Sequence, residues 1–368
     1  ENTVFGIYAG PGASTASATT APSAITSVST SVGAGATATN LTITNNSIAT
    51  VARGVTVNGS ATTVFPGLLI NNNEIGNQTA GAADQVTSIG ITAQGSANGV
   101  ISGNTVWVEG YVASSTATHG INVGVNSAIG TFTIDSNKVN RTRNSNSGSW
   151  SAFGINLGGG SNHIVQNNFV SGVINDQTAG TGAFSTSFGA FGIRVASGTG
   201  HKIYHNSVNL YGPMGGVTSS LLTASFGVTS TTLTGIDVRN NVFANTISGG
   251  NPAGTRNVAV FLPSAATAAM NLTDNNNAYF VGTDPNNRLA QVGTTFGTGE
   301  YTVAAFDPTA TVPASNFRSY TSTLSAAGTN DNLAFASTAL APFTSATNLH
   351  IPNATATPLE SAGATVGV

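Results

Sequence analysis

His163 and His201 occupy equivalent places in two copies of one sequence pattern, so two imidazoles about 4.8 Å apart could share a metal ion. A third ligand would be needed, and only His205, one residue before an Asn that recurs in every copy, is near enough in sequence. We therefore read His163 and His201 as stacked, hydrogen-bonded histidines at a strand end, and expect neither metal nor cofactor. Acid–base work on a polysaccharide, or a Ca²⁺ site, needs carboxylates within several ångströms of one another. The 13 carboxylates are scattered instead. Asp135 and Asp237 come nearest to a pair, three copies apart, and Arg194 with Asp176 reads as a solvated surface ion pair. No catalytic residue is assigned and the chain is expected not to be an enzyme. Trp107, Trp150, Tyr111 and Tyr211 lie in Ser/Thr/Gly/Asn-rich stretches. Such aromatics could stack on sugar rings, or seal a loop against the body of the protein.

The elements that position these residues follow from a repeat. The pattern apolar-x-x-Asn-x-apolar occurs seven times, around Asn46, Asn73, Asn104, Asn137, Asn168, Asn206 and Asn241, with successive spacings of 27, 31, 33, 31, 38 and 35 residues. That irregularity suits short strands joined by loops of variable length better than a helical repeat. Ahead of the copies comes Gly-[Ile/Val], at Gly6, Gly54, Gly90, Gly120, Gly154, Gly192 and Gly227, and in four of them the Gly-to-Asn offset is 14 residues. Period-two alternation makes both segments strands, with Phe153, Ile155 and Leu157 on one face. An Asn fixed between two strands is a bend residue that tolerates left-handed φ and bonds its neighbours.

Strand, turn, strand, Asn bend, third strand and loop, repeated every 27–38 residues, is one coil of a parallel β-helix. Stacked coils place the Asn side chains in a ladder, each bond contributing about 1 kcal/mol net. Phe153, Phe191 and Phe226 are expected to form an inward aromatic stack, with Ile89 and His119 below and Arg53 as an exception. The Gly column, if it points outward, leaves a strip of bare backbone for a loop, a glycan or another chain; alternatively each Gly meets a local backbone need. The expected fold is all-β, a right-handed parallel β-helix of about seven to eight coils, on the order of 35–40 Å long, with long loops at one corner and a less regular C-terminal cap.

The "GI-x-V … I-x-x-N-x-I" signature, over roughly residues 40–280, resembles the right-handed parallel β-helix superfamily of pectate lyases and many secreted bacterial surface proteins. In the enzymes of that superfamily, clustered Asp and nearby Arg or Lys act on the first sheet. Here the positions after each Gly-Ile are Tyr8, Thr56, Thr92, Asn122, Asn156, Arg194 and Thr229, none of them acidic, so no catalytic residue carries over. Residues 272–281, LTDNNNAYFV, look like a last, shifted coil, and TNLHIPNATATPLESAGATVGV is similar to the end of β-helix modules in very large surface proteins of gliding bacteria. That similarity implies that the native polypeptide continues past Val368, just as a start at Glu1 reads as a processed or excised segment.

Composition narrows the partners. Only 6% of residues are charged, against about 25% in ordinary domains, and the net charge is -3. There is no basic footprint for nucleic acid and no apolar run long enough to span a membrane. The absence of Cys fits an extracellular bacterial protein held by hydrogen bonds. The chain divides into 1–39, a strand (TVFGIYAG) followed by an Ala/Ser/Thr-rich segment; 40–281, the β-helix; and 282–368, a cap or appendage. The strand lies 40 residues from its Asn motif, so it is expected to be poorly tied to its own solenoid and available to a neighbour's exposed end. The expected function is a structural, non-enzymatic subunit of an extracellular filament or surface adhesin, associating head to tail. The alternative is a carbohydrate-binding or polysaccharide-degrading module with surface glycans as partners.

Overall fold

The computed structural model describes residues 3–10, 38–59, 64–110, 117–124, 130–145, 150–176, 184–214, 220–264, 266–306, 316–352, 356–359 and 362–366. Three sheets of ten, eight and nine strands wrap one apolar core, and successive coils of the chain place one strand in each. Within each sheet the pairing is parallel, apart from one short antiparallel strand, Glu300–Tyr301, at the last edge of the first sheet. The chain is thus a parallel β-solenoid, as the repeat predicts. In the first sheet it advances from Val51–Asn58 through strands beginning at Val86, Thr118, Ala152, Ala190 and Leu222 to Arg256–Leu262, which makes about six turns rather than seven or eight.

Identical residue types recur at each rung because each inward position sees the same neighbours one coil below and above. The second sheet contributes Ile43, Ile70, Ile101, Ile134, Val165, Ile203 and Val238, directly paired and buried. The third contributes Ile75, Val106, Val139, Val170, Val208, Phe243 and Tyr279. The first contributes Val55, Ile91, Ile121, Ile155, Ile193, Phe226 and Val260. β-Branched side chains dominate because they pack well on a pleated, buried surface.

The alternation expected through Phe153-Gly154-Ile155 breaks at the glycine. Ala152, Ile155 and Leu157 join the main core, while Phe153 and Phe191 belong to a separate cluster with Leu222, Ala224, Val258 and Phe261 on the outer side of the first sheet. Gly154 sits where the two phases meet. A Cβ there would lie 2.5 Å from both Val170 Cγ1 and Gly192 O, so the column points into the solenoid and does not expose a bare outward strip. The same inward crowding surrounds Gly54, Gly90, Gly120 and Gly192. Gly227 is not in this column. It pairs with Arg194, and Ser225 takes the glycine's place in that coil. For the same reason Phe226 pairs with Ile193 inside the core and stacks on Phe243, 5.2 Å away, so the aromatic stack holds Phe153 and Phe191 but not Phe226, and it faces outward.

The N-terminal strand Thr3–Ala9 is likewise not loosely held. It pairs in parallel with its own chain from Thr3↔Val51 to Ala9↔Val57. Beyond residue 281 the solenoid also continues, since Asn287–Val292 extends the first sheet and Phe335–Ser337 the third. Between them a short helix, Phe317–Ser322, is capped by Asn316 Oδ1, which accepts from Ser319 N at 2.8 Å. The remaining tail lies on the outside of the third sheet and is bonded there through Asn209, Asn240 and Asn276. The described residues beyond 281 therefore serve as both end closure and lateral strap.

Candidate functional site: the amide ladder and the outer cleft

The ladder begins with local backbone geometry. The residue before each ladder Asn, not the Asn itself, takes the left-handed conformation: Asn45, Asn72, Gly103, Ser136, Asn167, His205 and Asn240 have φ between 53° and 63°. Gly and Asn tolerate this region best, which explains the Asn-Asn and Gly-Asn pairs in the repeat. The turn aims the following side chain inward along the rod. Asn46, Asn73, Asn104, Asn137, Asn168, Asn206 and Asn241 each donate from Nδ2 to Oδ1 of the Asn one coil on, at 2.8–3.0 Å. The same Oδ1 accepts the backbone N–H of the preceding Asn. The series ends on an eighth member, Asn277, in the shifted coil. All the amide-to-amide donors point one way, so the ladder has a direction.

His163 and His201 repeat this logic with imidazoles. Phe132 N donates to His163 Nδ1 at 3.0 Å and His163 N donates to His201 Nδ1 at 3.2 Å, while the two Nε2 atoms lie 2.7 and 2.8 Å from the carbonyls of Gly159 and Ser197. Nδ1 as acceptor and Nε2–H as donor is the neutral tautomer. The rings stack at 4.9 Å. Burial, and then the neighbouring imidazole, push His163 down to about 4, and burial lowers His201. His205 lies on the next corner with φ 54° and does not join them. Among the described residues, no three metal-ligating side chains converge.

The acidic candidates also stay apart. Asp135 is bonded by Ser136 and Asn167, whereas Asp237 is held by Arg239 and Tyr204. Asp176 pairs with Arg143 and not with Arg194. Arg194 lies over the Phe153 ring at 4.9 Å and donates to Asn156 Oδ1, and burial lowers its guanidinium to about 10. The outward column expected after each Gly-Ile is observed from Tyr8 through Arg194, but its next member is Gly227, not Thr229.

What the sequence did not single out is a cleft of about 640 Å³ on the outside of the third sheet, lined by Trp107, Lys138, Arg141, Arg143, Phe169 and Tyr211 among others, with His350 of the tail at its rim. Arg141 sits at a register shift with φ 60°, and its guanidinium donates to the carbonyls of Asn77 and Gln78 at 2.6 and 2.7 Å. Glu109 lies 3.5 Å from Arg141 and 3.9 Å from Arg143. Three of the chain's ten Lys and Arg residues meet here. The run KVNRTRN at 138–144 was the available signal, but only the bulge reveals that Lys138, Arg141 and Arg143 share one side. Of the proposed sugar-stacking aromatics, Trp107 and Tyr211 line this cleft; Trp150 is exposed elsewhere, and Tyr111 falls outside the described residues.

These features define the class as a parallel β-solenoid with an internal amide ladder. No protein-family model matches the chain, and neither the curated proteins nor the solved structures contain a match. Among the described residues, no helix is long and apolar enough to cross a membrane.

Proposed function

We propose that this protein is a non-enzymatic structural subunit, secreted to the outside or surface of a bacterial cell, that associates end to end by strand pairing. The observation that carries the reading is the state of the first end. Among the described residues, all three sheets finish there in strands paired on one side only, Thr3–Ala9, Thr42–Thr44 and Ser47–Ile48. In the same plane, Asn46 Oδ1 has no donor among the described residues, although every later member of the ladder accepts two. Unpaired edges of this kind are templates for another chain. The low charge density supports the reading too, because little repulsion opposes contact between copies.

Deleting residues 1–9 and comparing the two proteins by negative-stain imaging tests it. Filaments of the intact chain that vanish in the deletion are expected; isolated rods from both would overturn the proposal. A second reading, carbohydrate binding, is favoured by one observation, the juxtaposition of Trp107 and Tyr211 with Lys138 and Arg143 in the outer cleft.

A further inference from the structure

At the last coil the apolar column of the second sheet breaks. Where the preceding coil has Val238, this one has Asp274, which is buried. Its Oδ1 accepts from Asn277 Nδ2 at 2.6 Å and lies 3.0 Å from the Tyr279 hydroxyl. That hydroxyl is also 2.7 Å from Oδ1 of Asp331, which is buried and belongs to the segment closing this end. Asp331 Oδ2 in turn accepts from Thr321 at 2.8 Å, on the helix Phe317–Ser322. A phenol has one proton and can donate to only one carboxylate. Both contacts are full, two-centre hydrogen bonds only when one of the two carboxyls carries a proton and donates it to the Tyr279 oxygen.

We infer that residues 316–337 form a pH-released lid: a proton shared among Asp274, Tyr279 and Asp331 seats it on the last coil, and loss of that proton lets it lift away. The lid covers what would otherwise be an open edge. Asn330 Oδ1 accepts Asp274 N, Leu324 O accepts Leu272 N, and Phe335 N donates to Asn277 O. The surrounding charges are Arg318 on the lid helix, which favours ionised Asp331, and Asp237 one coil back, which disfavours ionised Asp274 and is itself held by Arg239 and Tyr204.

Burial, followed by the neighbouring Asp331, raises Asp274, and burial pushes Asp331 up to about 6. The closed state thus holds protons more tightly than the open one. Seating is complete below the ordinary carboxylate range and is lost as pH rises through about 6 and beyond. That an uncovered last coil would then accept another copy rests on the end-to-end reading; the lid itself does not.

Hydrogen exchange of the backbone amides of 316–337, corrected for the intrinsic pH dependence of exchange, tests the lid on the full chain. Protection in this segment should fall about tenfold or more between about pH 5 and pH 8 while the Asn-ladder coils stay protected. Asp331→Asn should abolish that pH dependence, as should Asp274→Asn; if Asp274→Asn does not fold, Asp331→Asn carries the test alone. Unchanged protection in the natural protein across this range, or an equal fall in the folded variants, would overturn the inference. An exchange change accompanied by isolated rods at every pH would support the lid and count against end-to-end growth.

Discussion

The two ends of the solenoid solve the same problem in opposite ways. At the first end, among the described residues, the apolar columns of the second and third sheets stop at Ile43 and Ile48, and the ladder stops at an Asn46 Oδ1 that no described donor answers. At the last end the column changes character: Asp274 replaces the aliphatic residue, Tyr279 follows Phe243, and the donors of Asn277 are turned onto Asp274 and Val238 O. A further apolar coil stacked directly on Asp274 would bury a carboxyl without its partners, which is costly. Direction is therefore written into the rod twice, in the polarity of the amides and in the polarity of its last rung. On the proposed end-to-end association, an addition to the first end would need only strand edges, whereas an addition to the last end would have to displace the lid.

The sharpest way to break this comparison is to remove one amide from the middle and one from the open end. Asn137 donates to Asn168 Oδ1, Asp135 O and Ile101 O, and accepts from both nitrogens of Asn104. Asn137→Ala strands several buried groups and should cost about 4 kcal/mol in chemical denaturation. Asn46→Ala removes an amide that has no ladder partner before it among the described residues and should cost about 1 kcal/mol. Equal losses would mean that the ladder is not a cooperative element and that the first end is covered by something else.

Acid should distinguish the regions next. His163 is neutral in the folded chain and depressed to about 4, so the folded state binds fewer protons than the unfolded one. Its contribution is complete above the ordinary histidine range and is lost as pH falls from about 6.5 toward about 4. For His163 alone the loss approaches about 3 kcal/mol at the acid limit. His163→Gln keeps an acceptor and a donor while removing the titration, so its stability should be flatter over this interval in denaturation at several pH values. The middle of the rod thus weakens in acid, while the lid weakens toward alkali. A His163→Gln protein as acid-sensitive as the natural one would remove the imidazoles from the account.

How much of this was legible beforehand depended on whether a residue's role is set by its own coil or by another. The ladder residues and the aliphatic columns are local repeats, and seven members of the ladder could be read from spacing alone. Gly227 and Phe226 were misplaced because a Phe-Gly-Val string imitates the motif two residues out of phase, and only cross-coil pairing with Ile193 and Arg194 reveals the offset. The outward stack of Phe153 and Phe191 was missed because strict alternation has no provision for a phase slip at Gly154. Asp274 could have been found by aligning LTDNNNAYF with the earlier coils, since it stands where Ile or Val belongs. Its partner Asp331, 57 residues later, had no such signal, and the cleft had only the run KVNRTRN, because its remaining walls include the distant loop at 78–80 and the tail at 347–350.

The phase slip itself supplies the smallest contrast, between two coils and not two ends. Gly154 and Ser225 are members of one column, yet only the first is pressed between Val170 and Gly192 O. Ser225 has room for its side chain and donates to Ala244 O at 2.6 Å, and the next coil places Ala259 in the same core. Gly154→Ala should therefore cost about 2 kcal/mol through overpacking, because neither the backbone carbonyl nor a β-branched core residue can yield cheaply. Ser225→Ala should cost about 1 kcal/mol, the loss of one bond at a site that already accommodates a Cβ. If denaturation shows Gly154→Ala to be as mild as Ser225→Ala, the glycines answer no steric need, and the slip must be held by the outer aromatic stack instead.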